Sequence, residues 1–217
     1  MHFGKIAGVS KPVSRLMLGT IWFNTSRPEF SGPLLERLVA LGGTALDTAH
    51  LYGGGEAEQA DGQWITRQGV RAQTVLIIKG VCTDQATPEA VTCELFQSLE
   101  RLGTDHADLY LMHRDNPDVP VGEFVDCLHE HREAGRIHAF GGSNWTPERL
   151  QAAGDYAAAR GIAGFAASSP HFSLAQWNQP IWDGCAVRGC WESAAAFRPC
   201  KSRWRTCCAS RASTHLL

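Results

Sequence analysis

A chain of 217 residues is long enough to bury a sizeable core, in one large domain or two small ones. Its 44% hydrophobic and 19% charged residues are typical of a globular protein and exclude a disordered one. The net charge of -2 gives no electrostatic reason to expect nucleic acid or a membrane surface as a partner. No apolar run reaches the roughly 18 residues of a membrane span, and residues 1–16 lack the apolar core of a signal peptide, so we expect a cytoplasmic location.

Six short apolar segments recur along the chain and predict the strands of a sheet. In chain order they are residues 15–19, 44–47, 74–79, 107–113, 137–141 and 164–168. Their starts are roughly 30 residues apart, about the length of one strand, one helix and two loops in a βαβ unit.

Segments with helical spacing of apolar residues lie between these strands. Proline at the first helical position marks two starts, at Pro88 and Pro147. Glycines end four helices just before a strand, at Gly42, Gly103, Gly135 and Gly161. The alternation predicts a parallel α/β fold, either an open doubly wound sheet or a (β/α)8 barrel of the TIM-barrel type.

In either architecture a functional site forms at the carboxyl ends of the strands, and each predicted strand delivers a polar or aromatic side chain there. In chain order these are Trp22, Asp47 with Tyr52, Lys79, His113, Ser143 with Asn144, and Ser169. Each residue taken singly has a plain structural interpretation, such as a solvated strand end for Lys79 or a helix cap for Ser143. Their occurrence at successive strand ends favours a common site.

The stretch after the second strand carries a carboxylate and a phenol, Asp47 and Tyr52, followed by three glycines. We expect the glycines to form a tight passage into a helix near Glu56 and not a phosphate cradle. A tyrosine hydroxyl is a poor acid at neutral pH unless a nearby cation favours its ionised form. Lys79 could supply that cation, and His113 could donate a hydrogen bond to a substrate oxygen. This chemistry suits the protonation half of carbonyl reduction, with the hydride supplied by a cofactor.

Five motifs in this sequence resemble those of the aldo-keto reductases. They are RLMLGT from residue 15, LDTAHLYGGGEAE from 46, LIIKG from 76, SLERLGTDHADLYLMHRDN from 98 and IHAFGGSNW from 137. The resemblance extends over residues 15–174. It implies a (β/α)8 barrel that uses NADPH without a metal.

The resemblance also implies roles for four catalytic residues. Tyr52 is then the general acid, Lys79 and Asp47 are the pair that tunes its acidity, and His113 orients the carbonyl group of the substrate.

The remaining site residues would bind the cofactor and the substrate. Ser143 and Asn144 would bind the carboxamide of the nicotinamide, and Ser169 stands where the family commonly has a glutamine that supports this ring. Trp22 would form a wall of the substrate pocket, with a packing aromatic as an equal alternative.

Residues 185–217 depart from this pattern, since Cys, Arg and Ser are enriched and no seventh strand is evident. Five of the chain's eight cysteines lie here, without the paired spacing of a zinc site. A zinc site and a basic tail that binds a partner are alternatives. We favour a partial barrel over residues 1–184, with about six of eight strand-helix units, joined to an unrelated, poorly ordered tail.

An incomplete barrel would leave the first and sixth strands as open edges, so we expect weak or absent NADPH binding. Three functions stay open. One is an NADPH-dependent oxidoreductase that reduces aldehydes or ketones to alcohols, with a small carbonyl compound as its substrate. The others are a non-catalytic subunit like the β subunits of potassium channels, and an inactive fragment.

Overall fold

The computed structural model describes residues 1–82 and 86–171. A short antiparallel hairpin comes first, with strands β1 (Phe3–Gly4) and β2 (Val13–Ser14). The sequence analysis did not predict it, because each strand is only two residues long and carries no repeated pattern.

Six parallel strands then form one sheet in which spatial order follows chain order. They are β3 (Met17–Gly19), β4 (Ala45–Ala49), β5 (Val75–Gly80), β6 (Ala107–Met112), β7 (Ile137–Ser143) and β8 (Ala167–Ser169). All six predicted strands are therefore confirmed, with bounds that shift by a few residues.

Five helices alternate with these strands. They are α1 (Pro28–Ala40), α2 (Glu56–Gln68), α3 (Pro88–Leu102), α4 (Val121–Glu133) and α5 (Pro147–Arg160). The predicted starts at Pro88 and Pro147 are confirmed, and each follows a threonine whose hydroxyl accepts a hydrogen bond from a backbone N–H of the first turn. Gly103 and Gly161 end their helices in the left-handed conformation, as predicted.

The sheet buries a different set of side chains on each face. Leu76, Ile78 and Tyr110 pack against the helices in the larger core. The opposite face carries an inner layer, which consists of Val9, Val13, Ala45, Val75, Ile77, Leu109, Leu111 and Ala139. Strand side chains alternate between the faces, so the inner layer sets which later residues point to the same side.

This architecture is an incomplete (β/α)8 barrel of the TIM-barrel type. Within the described residues, β3 and β8 form the two edges of the sheet. The predicted boundary at residue 184 and the tail of residues 185–217 lie outside the described part of the chain. Among the residues that the structure describes, no helix is long and apolar enough to cross a membrane.

Candidate active site

Three of the predicted site residues lie on the same face of the sheet as the inner layer, nearer to the carboxyl ends of the strands. Each follows a member of that layer by two residues and therefore points to the same face of the sheet. The pairs are Ala45 and Asp47, Ile77 and Lys79, and Leu111 and His113. The strands are parallel, with Asp47 opposite Ile77 and Lys79 opposite Leu111, so each of the three side chains lies one pleat beyond the one before it. All three lie at the carboxyl edge of the sheet.

Asp47 and Lys79 form an ion pair with 2.5 Å between Oδ1 and Nζ. The Lys79 side chain is only 9% exposed, and such burial disfavours an ammonium. Burial alone would lower the pKa of Lys79, but the Asp47 carboxylate and, to a smaller extent, the Tyr52 hydroxyl outweigh it and raise this pKa above its usual range. Lys79 is therefore held as a cation at neutral pH.

Tyr52 approaches this pair from a tight turn, Tyr52–Gly55, which follows β4. The three glycines have φ values of 58°, 67° and 99°, which residues other than glycine rarely adopt. They lead the chain directly into α2, so the predicted tight passage is present. The Nζ atom of Lys79 lies 5.4 Å from the centre of the Tyr52 ring.

The His113 ring lies edge-on to Tyr52, with 5.9 Å between the ring centroids and 82° between the planes. Burial, and then the positive charges of Lys79 and Arg114, lower the pKa of His113 to about 4. The imidazole is therefore neutral at physiological pH, with one N–H donor and one acceptor nitrogen. Asp47, Tyr52, Lys79 and His113 thus form one cluster.

Ser143 and Asn144 lie at the end of β7, beside the last residues of β8. The Ser143 hydroxyl donates to the carbonyl oxygen of Ser169 at 2.8 Å, and the Asn144 amide donates to the Ser143 Oγ atom at 3.0 Å. The backbone N–H of His171 donates to the Asn144 side-chain oxygen at 2.6 Å. Ser169 therefore contributes through its backbone carbonyl, which the sequence analysis did not foresee.

Trp22 follows β3 and is 77% exposed. Its neighbour Phe23 is buried in the larger core instead. Among the described residues, Trp22 thus lies at the surface after β3, and both of its interpretations, a substrate-pocket wall and a packing aromatic, stay predictions.

Sequence analysis missed two buried acidic residues on α2, Glu58 and Asp61. Burial raises the pKa of both, to about 8 for Asp61. A usable signal was present, because Ala57, Asp61 and Trp64 share one helical face with this spacing. A carboxylate on an otherwise apolar helical stripe indicates a buried acid.

A second polar cluster lies at the opposite, amino-terminal end of the sheet. His106, Asp108 and His138 could offer ligand atoms within 4.8 Å of one another. The buried Asp108 carboxylate is already paired with Lys11 and Arg71, each at 2.9 Å. These two cations would repel a metal ion, so the cluster is better explained as a structural ion-pair network.

Comparison with known proteins identifies the family. A sequence model of the Aldo/keto reductase family matches residues 15–186. The chain belongs to this family. The expected family and barrel type are thus confirmed.

Several curated relatives and a solved structure resemble the chain. Aldo-keto reductase YhdN of Bacillus subtilis is 32% identical over 163 residues, which cover 69% of this chain and 49% of that protein. Aldo-keto reductase str7 of Strobilurus tenacellus is 34% identical over 123 residues, which cover 55% and 36%. The chain spans about half the length, or less, of these relatives.

The crystal structure of an aldo/keto reductase from Klebsiella pneumoniae, in complex with NADP and acetate, superposes with a TM-score of 0.61. The two sequences are 30% identical, and the match covers 70% of this chain and 52% of the Klebsiella chain. The shared fold places both proteins in the same barrel class.

Proposed function

We propose that this chain is an oxidoreductase that uses NADPH to reduce an aldehyde or a ketone to an alcohol. The observation that carries the proposal is the buried Lys79 ammonium, paired with Asp47 and placed against the Tyr52 phenol. A phenol beside a fixed cation is a better proton donor than a free one, because the cation stabilises the phenolate that remains. The pair is preformed at the carboxyl edge of the sheet.

Tyr52 donates its proton to the substrate oxygen as the carbonyl carbon accepts a hydride. NADPH supplies that hydride when it is bound. Lys79 stabilises the resulting phenolate, and Asp47 keeps Lys79 charged and oriented.

His113 acts as a neutral hydrogen-bond donor to the carbonyl oxygen. Its pKa of about 4 keeps it uncharged, so it can orient the substrate without competing with Tyr52 as the proton source. Its Nδ1 atom is buried and has no hydrogen-bond partner within the described residues.

The nicotinamide carboxamide fits the polar groups at the ends of β7 and β8. The Asn144 amide nitrogen uses one N–H on Ser143 and retains a second, which suits the carboxamide oxygen. The Ser169 carbonyl oxygen already accepts two hydrogen bonds, from the Ser143 hydroxyl and from the Asn144 backbone N–H, so the Ser169 side chain is the candidate contact at this position. The NADP in the similar Klebsiella structure supports this choice of cofactor.

Trp22 completes the proposal as an exposed aromatic wall for the substrate. Its position after β3 places it at the carboxyl edge, where substrate loops of this barrel class lie.

An assay of carbonyl reduction tests the proposed oxidoreductase activity. Consumption of NADPH is followed by absorbance with a panel of small aldehydes and ketones, for the wild-type protein and for Tyr52→Phe. We expect the variant to lose at least ~100-fold in kcat, the usual size of a general-acid effect, while its Kd for NADPH is unchanged.

Tryptophan fluorescence gives the Kd independently of turnover and also tests the prediction of weak cofactor binding. Full activity in Tyr52→Phe would contradict the assignment of the acid. Binding of NADPH without turnover of any carbonyl compound would instead favour a non-catalytic binding subunit.

A further inference from the structure

One stripe of polar side chains on α3 contacts the loops that carry the proposed acid and its lysine. Glu94, Gln97 and Arg101 recur every three to four residues and therefore share one side of the helix. All three bind the segment that follows β4. Glu94 and Gln97 lie outside the quoted sequence motifs, and Arg101 lies within one of them without an assigned role.

His50 is the target of all three contacts, and it lies two residues before Tyr52. Its Nδ1 atom is 3.3 Å from the Glu94 carboxylate, and its Nε2 atom is 2.7 Å from the Gln97 side-chain oxygen. The Arg101 guanidinium donates to the His50 backbone oxygen at 3.0 Å. Both sides of the imidazole and the backbone are thus held by one helix.

Glu94 also binds the loop that follows β5. The same Oε2 atom that faces His50 accepts the backbone N–H of Val81 at 2.6 Å. Val81 lies two residues after Lys79 and has a φ of 54°, which is unusual for a β-branched residue. One carboxylate oxygen therefore links the loop of Tyr52 to the loop of Lys79.

Arg101 contacts the glycine turn that follows Tyr52. Its guanidinium donates to the buried Glu58 carboxylate at 3.1 Å while it holds His50. A Cβ atom on Gly55 would lie 2.5 Å from the Arg101 Cζ atom, so the glycine turn rests directly on this side chain. The position of Tyr52 thus depends on contacts with α3 as well as on its own loop.

We propose that Glu94, assisted by Gln97 and Arg101, is a positioning residue that sets the distance between the Tyr52 phenol and the Lys79 ammonium. Glu94 touches neither group, and it acts through His50 and Val81. This inference rests on the proposed function, since the two positioned groups are the acid and its cation. A misplacement of about 1 Å at such a site costs roughly 100-fold in rate.

The test compares Glu94→Ala, Glu94→Gln and Gln97→Ala with Glu100→Ala, a matched control at an exposed position on the same helix. We expect Glu94→Ala to lower kcat by at least ~10-fold with little change in KM or in the Kd for NADPH. Glu94→Gln should recover most of the rate, because an amide oxygen can still accept the Val81 N–H. Gln97→Ala, which removes only one contact to His50, should have a smaller effect, and the control none.

Amide hydrogen exchange gives a second readout that needs no catalysis. In Glu94→Ala, exchange should quicken in residues 50–56 and at Val81, while the core amides of β5 and β6 remain protected. Protection equal to that of the wild type in these two loops would overturn the proposal. So would a wild-type kcat in Glu94→Ala when the wild-type protein itself is active.

The two hypotheses fail separately. A wild-type protein without turnover contradicts the proposed function, and the exchange result then decides alone whether α3 holds the two loops together. If the wild-type protein is active and substitution of Glu94 does not change kcat, the proposed function stands and the positioning role is contradicted.

Discussion

At the scale of single residues, the site depends on one buried cation whose charge is maintained by its neighbour. Desolvation works against the Lys79 ammonium, and the Asp47 carboxylate at 2.5 Å reverses the balance. We propose that Asp47 tunes the charge of Lys79, and its contribution can be separated from that of the proposed acid.

Asp47→Asn removes this carboxylate and leaves an amide of the same shape. The pKa of Lys79 should fall, since burial is no longer opposed, and the alkaline limb of the pH profile of kcat should move to lower pH. We expect kcat at neutral pH to fall by at least ~10-fold. Glu56→Gln, an exposed carboxylate on the first turn of α2, is the matched control. An unchanged pH profile would show that Asp47 does not set the charge of Lys79.

The buried Asp61 carboxyl group should affect the stability of the protein and not its catalytic rate. Burial, the largest influence, raises its pKa from 3.8 to about 8, so the folded protein binds this proton more tightly than the unfolded chain. The stability that this group contributes is complete below a pH of 3.8 and is lost as the pH rises towards about 8.

Asp61→Asn cannot titrate, so its Tm should exceed that of the wild type by at least ~4 °C at mildly alkaline pH. The difference should shrink under acidic conditions. Calorimetry across this pH range is the measurement, with the exposed Asp118→Asn as control. A Tm difference that does not vary with pH would contradict the buried, protonated state of Asp61.

At the scale of elements, the glycine turn after β4 joins the strand of Asp47 to α2. Gly54 and Gly55 both have positive φ, but a Cβ on Gly54 would meet nothing within 4 Å, whereas one on Gly55 would overlap Arg101. The two positions therefore both have left-handed backbone, and only Gly55 adds an overlap with a side chain of α3.

Gly54→Ala should lower the free energy of unfolding by ~1–2 kcal/mol through strain alone. Gly55→Ala should cost more and should also reduce kcat, because Arg101 must leave the turn. Denaturant unfolding and turnover of the two variants provide the comparison. Equal effects on both quantities would mean that the turn does not rest on Arg101.

Much of the element order could be predicted from the sequence, because strand and helix signals are local. Pro88, Thr146 and Gly103 mark helix ends through contacts within a few residues. The residues at the strand ends could be predicted as well, since a parallel sheet delivers them to one edge.

The contacts of α3 with the active-site loops could not be predicted in this way. Glu94 and His50 are 44 positions apart, and their pairing depends on how α3 packs against β5 and α2. The hairpin of β1 and β2 was missed because its strands are only two residues long, and because Val9 and Val13 are buried against residues of the later strands β4 to β7.

At the scale of the whole molecule, the two ends of the sheet carry different kinds of polar cluster. The amino-terminal end is covered by the hairpin, and the Lys11, Arg71 and Asp108 network fixes that end. The carboxyl end gathers Asp47, Tyr52, Lys79 and His113, as expected for a barrel whose chemistry lies at its carboxyl face.

We propose that the residues at this edge catalyse hydride transfer from NADPH to a carbonyl carbon. The most direct measurement uses NADPH that is doubly deuterated at the nicotinamide C4, followed by mass spectrometry of the alcohol. We expect one deuterium on the former carbonyl carbon of the product with the wild-type protein, and at least ~100-fold slower formation of the labelled alcohol with Tyr52→Phe. An alcohol product without deuterium would contradict the account.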